Sequence, residues 1–119
     1  MALGGFVDLL LSARRGRGCT VVELHGDLDM ATAPPLRECL QKLLDAGDRQ
    51  VVVDMAGVSF MDSSALGALV TSFKALREAG GRLSLAAVQP PVRSVLSITS
   101  VDEVIDVFDT VEAAETAQG

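Results

Sequence analysis

The chain has 119 residues, 49% of them hydrophobic, with a mean hydropathy of +0.37; this is the length of one domain with material for a packed core, which excludes a disordered chain. Ten Lys and Arg against 16 Asp and Glu give a net charge of −6, so the phosphate attraction that dominates binding to nucleic acids and anionic membranes is missing. Four Phe without Trp or Tyr leave almost no aromatic surface for stacking on bases, and no uncharged apolar stretch approaches the length of a membrane span.

Phe6 to Ala13 alternates, with Val7, Leu9, Leu11 and Ala13 on one face, and is expected to be a strand. No basic leader precedes Leu9-Leu10-Leu11, so no signal peptide is expected. Arg14 to Gly18 is expected to turn, with Arg14, Arg15 and Arg17 as a solvated basic tip. Cys19 to His25 then returns as a second strand with Val22 and Leu24 facing in, completing a hairpin. The two cysteines, Cys19 and Cys39, form no C-x-x-C pair. They read as small buried hydrophobes of a reducing cytoplasm. Gly26-Asp27-Leu28-Asp29 ends the hairpin in a loop whose two carboxylates flank one leucine.

Thr32 is expected to cap a first helix, with Pro34 and Pro35 in the first turn, where a missing N–H costs little. Leu36, Leu40, Leu43 and Leu44 mark its buried face, Glu38 and Lys42 pair outside, and Gly47 stops it. Val51-Val52-Val53 reads as a buried strand. Asp54 is read as a turn residue accepting local backbone hydrogen bonds, and Gly57 as permitting a turn. Val58 and Phe60 are expected to re-enter the core. Asp62-Ser63-Ser64 then opens a helix running to about Ala79, with Leu66, Leu69, Val70 and Phe73 at i, i+3, i+4, i+7 spacing. A hydroxyl therefore sits at a helix N-terminus, where free N–H groups and the dipole suit an anion, including phosphate. Plain capping by Asp or Ser accounts for the same residues. Gly67, one turn later, is read as close packing of the helix on a strand, and Thr71 as structural.

After Gly80-Gly81, Leu83, Leu85 and Ala87 alternate as a further strand. Gln89-Pro90-Pro91 starts a short helix with Val92, Val95 and Leu96 inward, and Val104 to Phe108 reads as a last strand. Asp109 with Glu112 resembles a capping box for a terminal helix that reaches about Gln118. Strands alternating with helices after a hairpin predict a single α/β domain. Its mixed sheet would hold about four or five strands, packed by about four helices.

The only histidine, His25, has no Cys or carboxylate cluster at ligand spacing, so no metal site is expected. Neither G-x-x-x-x-G-K-[ST] nor G-x-G-x-x-G occurs, and no set of kinase motifs is present. No enzyme activity and no cofactor are expected. A phosphorylated receiver aspartate at Asp54 would need a lysine after a later strand. Lys42 and Lys74, the only lysines, both fall on predicted helices.

Phe60-Met61-Asp62-Ser63-Ser64-Ala65-Leu66-Gly67, preceded by Val53-Asp54, resembles the phosphorylation motif of STAS-domain anti-sigma factor antagonists. Gly26-Asp27-Leu28-Asp29 with Thr32-Ala33, Ala79-Gly80-Gly81 and Pro91-Val92 with Val95 extend the likeness over nearly the whole chain. The resemblance implies one STAS domain over residues 1–119, ordered from about 6 to 115. It implies that an anti-sigma factor that is also a serine kinase phosphorylates Ser63, with Ser64 the second choice. The unphosphorylated form would bind that partner and free its sigma factor, the phosphorylated form would not, and a serine phosphatase would reset the switch. The implied partner surface is Asp27, Asp29, Asp62, Ser63, Ser64 and Leu66, and a nucleotide association falls on Asp29 and Ser63. Ala65 replaces the family's usual glycine, a departure that bears on approach by the kinase. Two other readings are a STAS accessory subunit of a transport assembly and a small nucleotide-binding protein.

Overall fold

The computed structural model describes residues 9–118. A hairpin of β1 (Leu9–Arg15) and β2 (Thr20–Gly26) is followed by α1 (Ala33–Asp45), β3 (Gln50–Gly57), α2 (Ser63–Glu78), β4 (Arg82–Ala86), α3 (Pro90–Ile98), β5 (Val107–Phe108) and α4 (Val111–Gln118). The five strands lie side by side in chain order. β1 pairs antiparallel to β2, from Leu9 with Gly26 to Arg15 with Thr20, and β2 through β5 run parallel. This is the mixed sheet with an opening hairpin that the strand and helix pattern predicts.

The valine run of β3 has a direct physical cause, because its strand is covered on both faces. Val51, Val53 and Met55 join Val22, Leu24, Leu83 and Leu85 in one apolar cluster with Leu36 and Leu40 of α1, Leu69 and Phe73 of α2, and Val92 and Leu96 of α3. Val52, pointing the other way, joins Val21, Cys19 and Ala86 beneath Ala114 of α4. Both long helices stop at a left-handed glycine, Gly47 with φ 100° and Gly80 with φ 84°. The N–H of Gly47 donates to the Leu44 carbonyl and that of Asp48 to Leu43, each at 3.0 Å. Gly80 and Gly81 repeat the arrangement on Arg77 and Leu76, at 3.0 and 2.7 Å. These are the paired bonds that satisfy a helix's last carbonyls.

Several boundaries differ from expectation. Phe6 to Asp8 of the expected first strand lie outside the described residues. β1 continues to Arg15, so the turn is shorter than Arg14 to Gly18; the Gly16 N–H closes it on the Cys19 carbonyl at 2.8 Å. Arg14 stays on the strand beside Glu23, 3.1 Å away. Ala87 leaves the β4 ladder with φ 57°. The last strand holds only Val107 and Phe108, because Val101–Glu103 forms a 3₁₀ turn that leaves Val104 exposed. Thr110 caps α4 in place of Asp109, its hydroxyl accepting the Ala113 N–H at 3.0 Å. The Asp109 carboxylate is turned instead to Arg93, 3.5 Å away.

Two glycines show opposite constraints. The chain does turn at Met55 to Val58, with the Val58 N–H on the Met55 carbonyl at 3.0 Å. Gly57 itself is not left-handed, however, and still pairs with His25. A Cβ there would stand 2.7 Å from the Leu24 carbonyl and press on the His25 ring. Gly67 is the reverse: it is exposed in mid-helix and a Cβ would meet nothing within 4 Å, so the close-packing reading of this residue is corrected. Gly57→Ala should therefore lose about 1–3 kcal/mol through forced displacement of the backbone. Gly67→Ala should gain roughly 0.5–1 kcal/mol from helix propensity. Urea denaturation of the two variants against wild type checks both signs.

Candidate functional site

Two loops leave the same end of the parallel sheet, one after β2 and one after β3, the end where open α/β sheets commonly place their sites. They are tied together by a single parallel bridge between Leu28 and Met61. The Leu28 N–H donates to the Phe60 carbonyl and the Asp62 N–H to the Leu28 carbonyl, both at 2.9 Å. Leu28 and Met61 are buried in the main core. Because successive side chains in extended chain point oppositely, the residues that flank these two anchors are turned outward. Asp27 is exposed, and Asp29 and Asp62 are half-buried. Phe60, expected in the core, is 50% exposed; Met61 takes the inward place instead.

Each carboxylate shapes its own loop. Asp29 Oδ1 accepts the N–H groups of Ala31 and Thr32 at 3.0 and 3.1 Å. The buried Thr32 hydroxyl donates to the Asp27 carbonyl and accepts the Asp29 N–H, both at 2.8 Å. Thr32 does stand at the N-cap of α1, but its hydroxyl makes no capping bond to the helix; it braces the preceding loop. On the other side, Asp62 caps α2, with Oδ1 accepting the N–H groups of Ser64 and Ala65 at 2.9 and 3.1 Å. In both aspartates the described side-chain hydrogen bonds use Oδ1, and none uses Oδ2.

Ser63 is the first residue of α2 and is exposed, as is Ser64. Neither hydroxyl makes a hydrogen bond among the described residues. The bridge register places Asp29 alongside Asp62, so Ser63 emerges beside two carboxylates, with Asp27 one anchor further back. None of the three is in an ion pair among the described residues. The site is thus an accessible hydroxyl on a rigid, acidic helix start.

Leu66 is only 8% exposed and Ala65 is fully buried. Leu66 therefore packs the helix onto the core. The methyl of Ala65 points inward, away from any surface that approaches Ser63. The large apolar side chains that are displayed here are Phe60 and Met30, the latter 75% exposed. Sequence reasoning missed Met30; its signal was a lone large apolar residue in the polar loop before α1. Cys19 and Cys39 lie elsewhere, and burial raises both thiols above their ordinary range. Asp54 belongs to β3, its Oδ1 accepting the Ala56 N–H at 3.1 Å. Among the described residues no three His, Cys, Asp or Glu are grouped to hold a metal ion, and no helix is long and apolar enough to cross a membrane.

The sequence profile of the STAS domain matches residues 11–114, which include both loops and all of α2. The anti-sigma F factor antagonist of Paenibacillus polymyxa is 28% identical over 93 residues, covering 77% of this chain and 80% of its own. The anti-sigma-B factor antagonist of Staphylococcus aureus is 34% identical over 77 residues, 65% of this chain and 71% of its own. The crystal structure of an anti-sigma factor antagonist from Mycobacterium paratuberculosis superposes with a TM-score of 0.84 at 26% identity, over 92% of each chain.

The capping geometry makes a stability prediction. Asp62→Ala strips the acceptor from two helix N–H groups and should cost about 1 kcal/mol, within the usual 0.5–2 kcal/mol for a lost cap. Asp62→Asn should retain most of that stability, since asparagine caps equally well. Denaturant midpoints of the two variants measure the difference.

Proposed function

The chain belongs to the STAS domain family, and from that premise we propose that it is an anti-sigma factor antagonist switched by phosphorylation of Ser63. The unphosphorylated form binds an anti-sigma factor that is also a serine kinase, and so releases a sigma factor. Phosphate on Ser63 ends that binding, and a serine phosphatase restores it. The chain itself is a regulatory binding protein and performs no catalysis. The observation that carries this reading is the exposed Ser63 hydroxyl, without a hydrogen bond of its own, at the start of a helix whose cap is already made by Asp62.

The geometry supplies the physics of the switch. Phosphorylation adds about −1.5 to −2 charges at pH 7. Of the N–H groups that would cradle a phosphate at this helix end, those of Ser64 and Ala65 already bond to Asp62, which leaves the N–H of Ser63. The phosphate therefore projects from the surface, next to Asp29 and Asp62, and a partner must desolvate a dianion that like charges surround. Without the phosphate, the Oδ2 atoms of Asp29 and Asp62, which make no described hydrogen bond, suit a basic group, while Phe60 and Met30 supply apolar contact. Aromatic and methionine side chains are enriched at such interfaces.

Paired baits of the wild type, Ser63→Ala and Ser63→Glu test the reading. The wild type and Ser63→Ala should capture an anti-sigma serine kinase, and Ser63→Glu should bind it about tenfold more weakly or worse. With ATP, that kinase should place one phosphate on Ser63 of the wild type and none on Ser63→Ala, as read by mass spectrometry. Phosphate on Ser64 instead, or capture of transporter subunits by all three baits, would overturn it.

A further inference from the structure

β1 is an edge strand of seven residues, paired on one side only among the described residues. Its ladder with β2 runs from Leu9 to Arg15 without a bulge, and it contains no proline. Folded proteins usually guard such an edge, because its unpaired N–H and C=O groups invite another strand. The opposite edge follows that rule: β5 has two residues, and the aspartate before it, Asp106, is paired with Arg82. β1 instead carries Leu9, Leu10 and Leu11, with Leu10 71% exposed. The turn fixes which backbone groups are free. The Gly16 N–H bonds to the Cys19 carbonyl, which makes these two a hydrogen-bonded pair, and such pairs alternate along an antiparallel ladder. Leu10, Ser12 and Arg14 therefore bond to β2, while Leu9, Leu11, Ala13 and Arg15 turn their backbone groups to the open edge.

We infer that this edge is the interface of a homodimer, in which β1 pairs antiparallel with β1 of a second copy across a two-fold axis at Ser12. The strand is self-complementary in that register, as a two-fold interface requires. Leu9 pairs with Arg15 of the second copy and Leu11 with Ala13, so every outward backbone group of the strand finds a partner. No arginine opposes another. Leu10 lies against the stem of Arg14 from the second copy, whose charge is already met by Glu23 at 3.1 Å. On the other face of the sheet, Leu11 lines an apolar groove with Pro35, Cys39 and Leu43 of α1, bordered by Glu38 and Lys42. α1 carries the chain back from β2 to the parallel β3, so it runs in the direction of β1. The two-fold axis therefore sets two α1 helices side by side and antiparallel. Groove closes on groove, Cys39 approaches its counterpart, and Glu38 of each copy faces Lys42 of the other. A second copy brings this complementarity by symmetry. Ser63 follows β3, two strands in from this edge, so the inference does not rest on the proposed function.

Sedimentation of the full chain tests this, with thermal unfolding to show that each variant is folded. The wild type should sediment as a dimer at about 50 μM protein. Ala13→Pro removes an outward N–H at an exposed position and leaves the bonds to β2 in place, so it should fold and weaken the dimer about tenfold or more. Leu10→Lys sets an ammonium against Arg14 of the second copy and should weaken the dimer likewise. A short bis-maleimide should join two wild-type chains through Cys39, and the linked species should disappear in Cys39→Ser and decline in Ala13→Pro. A wild type that sediments as a monomer throughout, or a dimer that both strand variants leave unchanged, would overturn the inference.

Discussion

The bridge between Leu28 and Met61 is the constraint on which the site depends. It joins loops separated by α1 and β3 through two backbone hydrogen bonds of 2.9 Å. Because both bridging side chains are sunk in the core, the pairing cannot slip by one residue without expelling them and burying their charged neighbours. The alternation around two buried anchors is what delivers Asp29 to Asp62 and turns Phe60 outward. Thr32, buried under the first loop, and Asp62, capping α2, then remove the remaining freedom of the two segments. Ser63 is accordingly displayed on a scaffold that has little to rearrange.

That rigidity decides between two ways in which a phosphate can act. At a helix start with free amides, a phosphate would bind its own chain and could order or reorient the helix. Here Asp62 occupies the amides of Ser64 and Ala65, so the new charge finds only the Ser63 N–H free at the helix start among the described residues. Its main effect is on the surroundings. At roughly 5 Å, unit charges repel by about 1 kcal/mol in water and about 3 kcal/mol at an effective dielectric of 20. A near-dianion beside two carboxylates therefore changes the surface by a few kcal/mol. A partner group of like charge that faces this dianion meets a penalty of the same size, which is enough to alter binding a hundredfold.

Much of this was legible in the sequence. The glycines after α1 and α2 mark the helix ends because left-handed termination favours glycine, and the three consecutive valines of β3 signal a strand buried on both faces. Asp62-Ser63 at the start of an apolar-periodic segment located the candidate site. What the local pattern could not show was set by contacts distant in the chain. Phe60 points outward because Met61 is claimed by Leu28, more than thirty residues earlier in sequence and invisible to any local period. Asp109 is drawn to Arg93 of α3, leaving Thr110 to cap α4. The Val104 to Phe108 segment is apolar but for Asp106, yet only its end reaches the ladder of β4. Gly57 and Gly67 are identical in sequence terms, and only their surroundings tell a required glycine from an unexplained one.

The central claim is that phosphorylation of Ser63 changes local charge and leaves the fold unaltered. Backbone amide NMR of the domain before and after enzymatic phosphorylation tests this most directly. Shifts confined to the loop of residues 27–32 and to residues 60–67, with the remaining amides unmoved, are the predicted result. Widespread shifts along α2 and into β4, or loss of the Asp62 cap with refolding of the helix start, would contradict it.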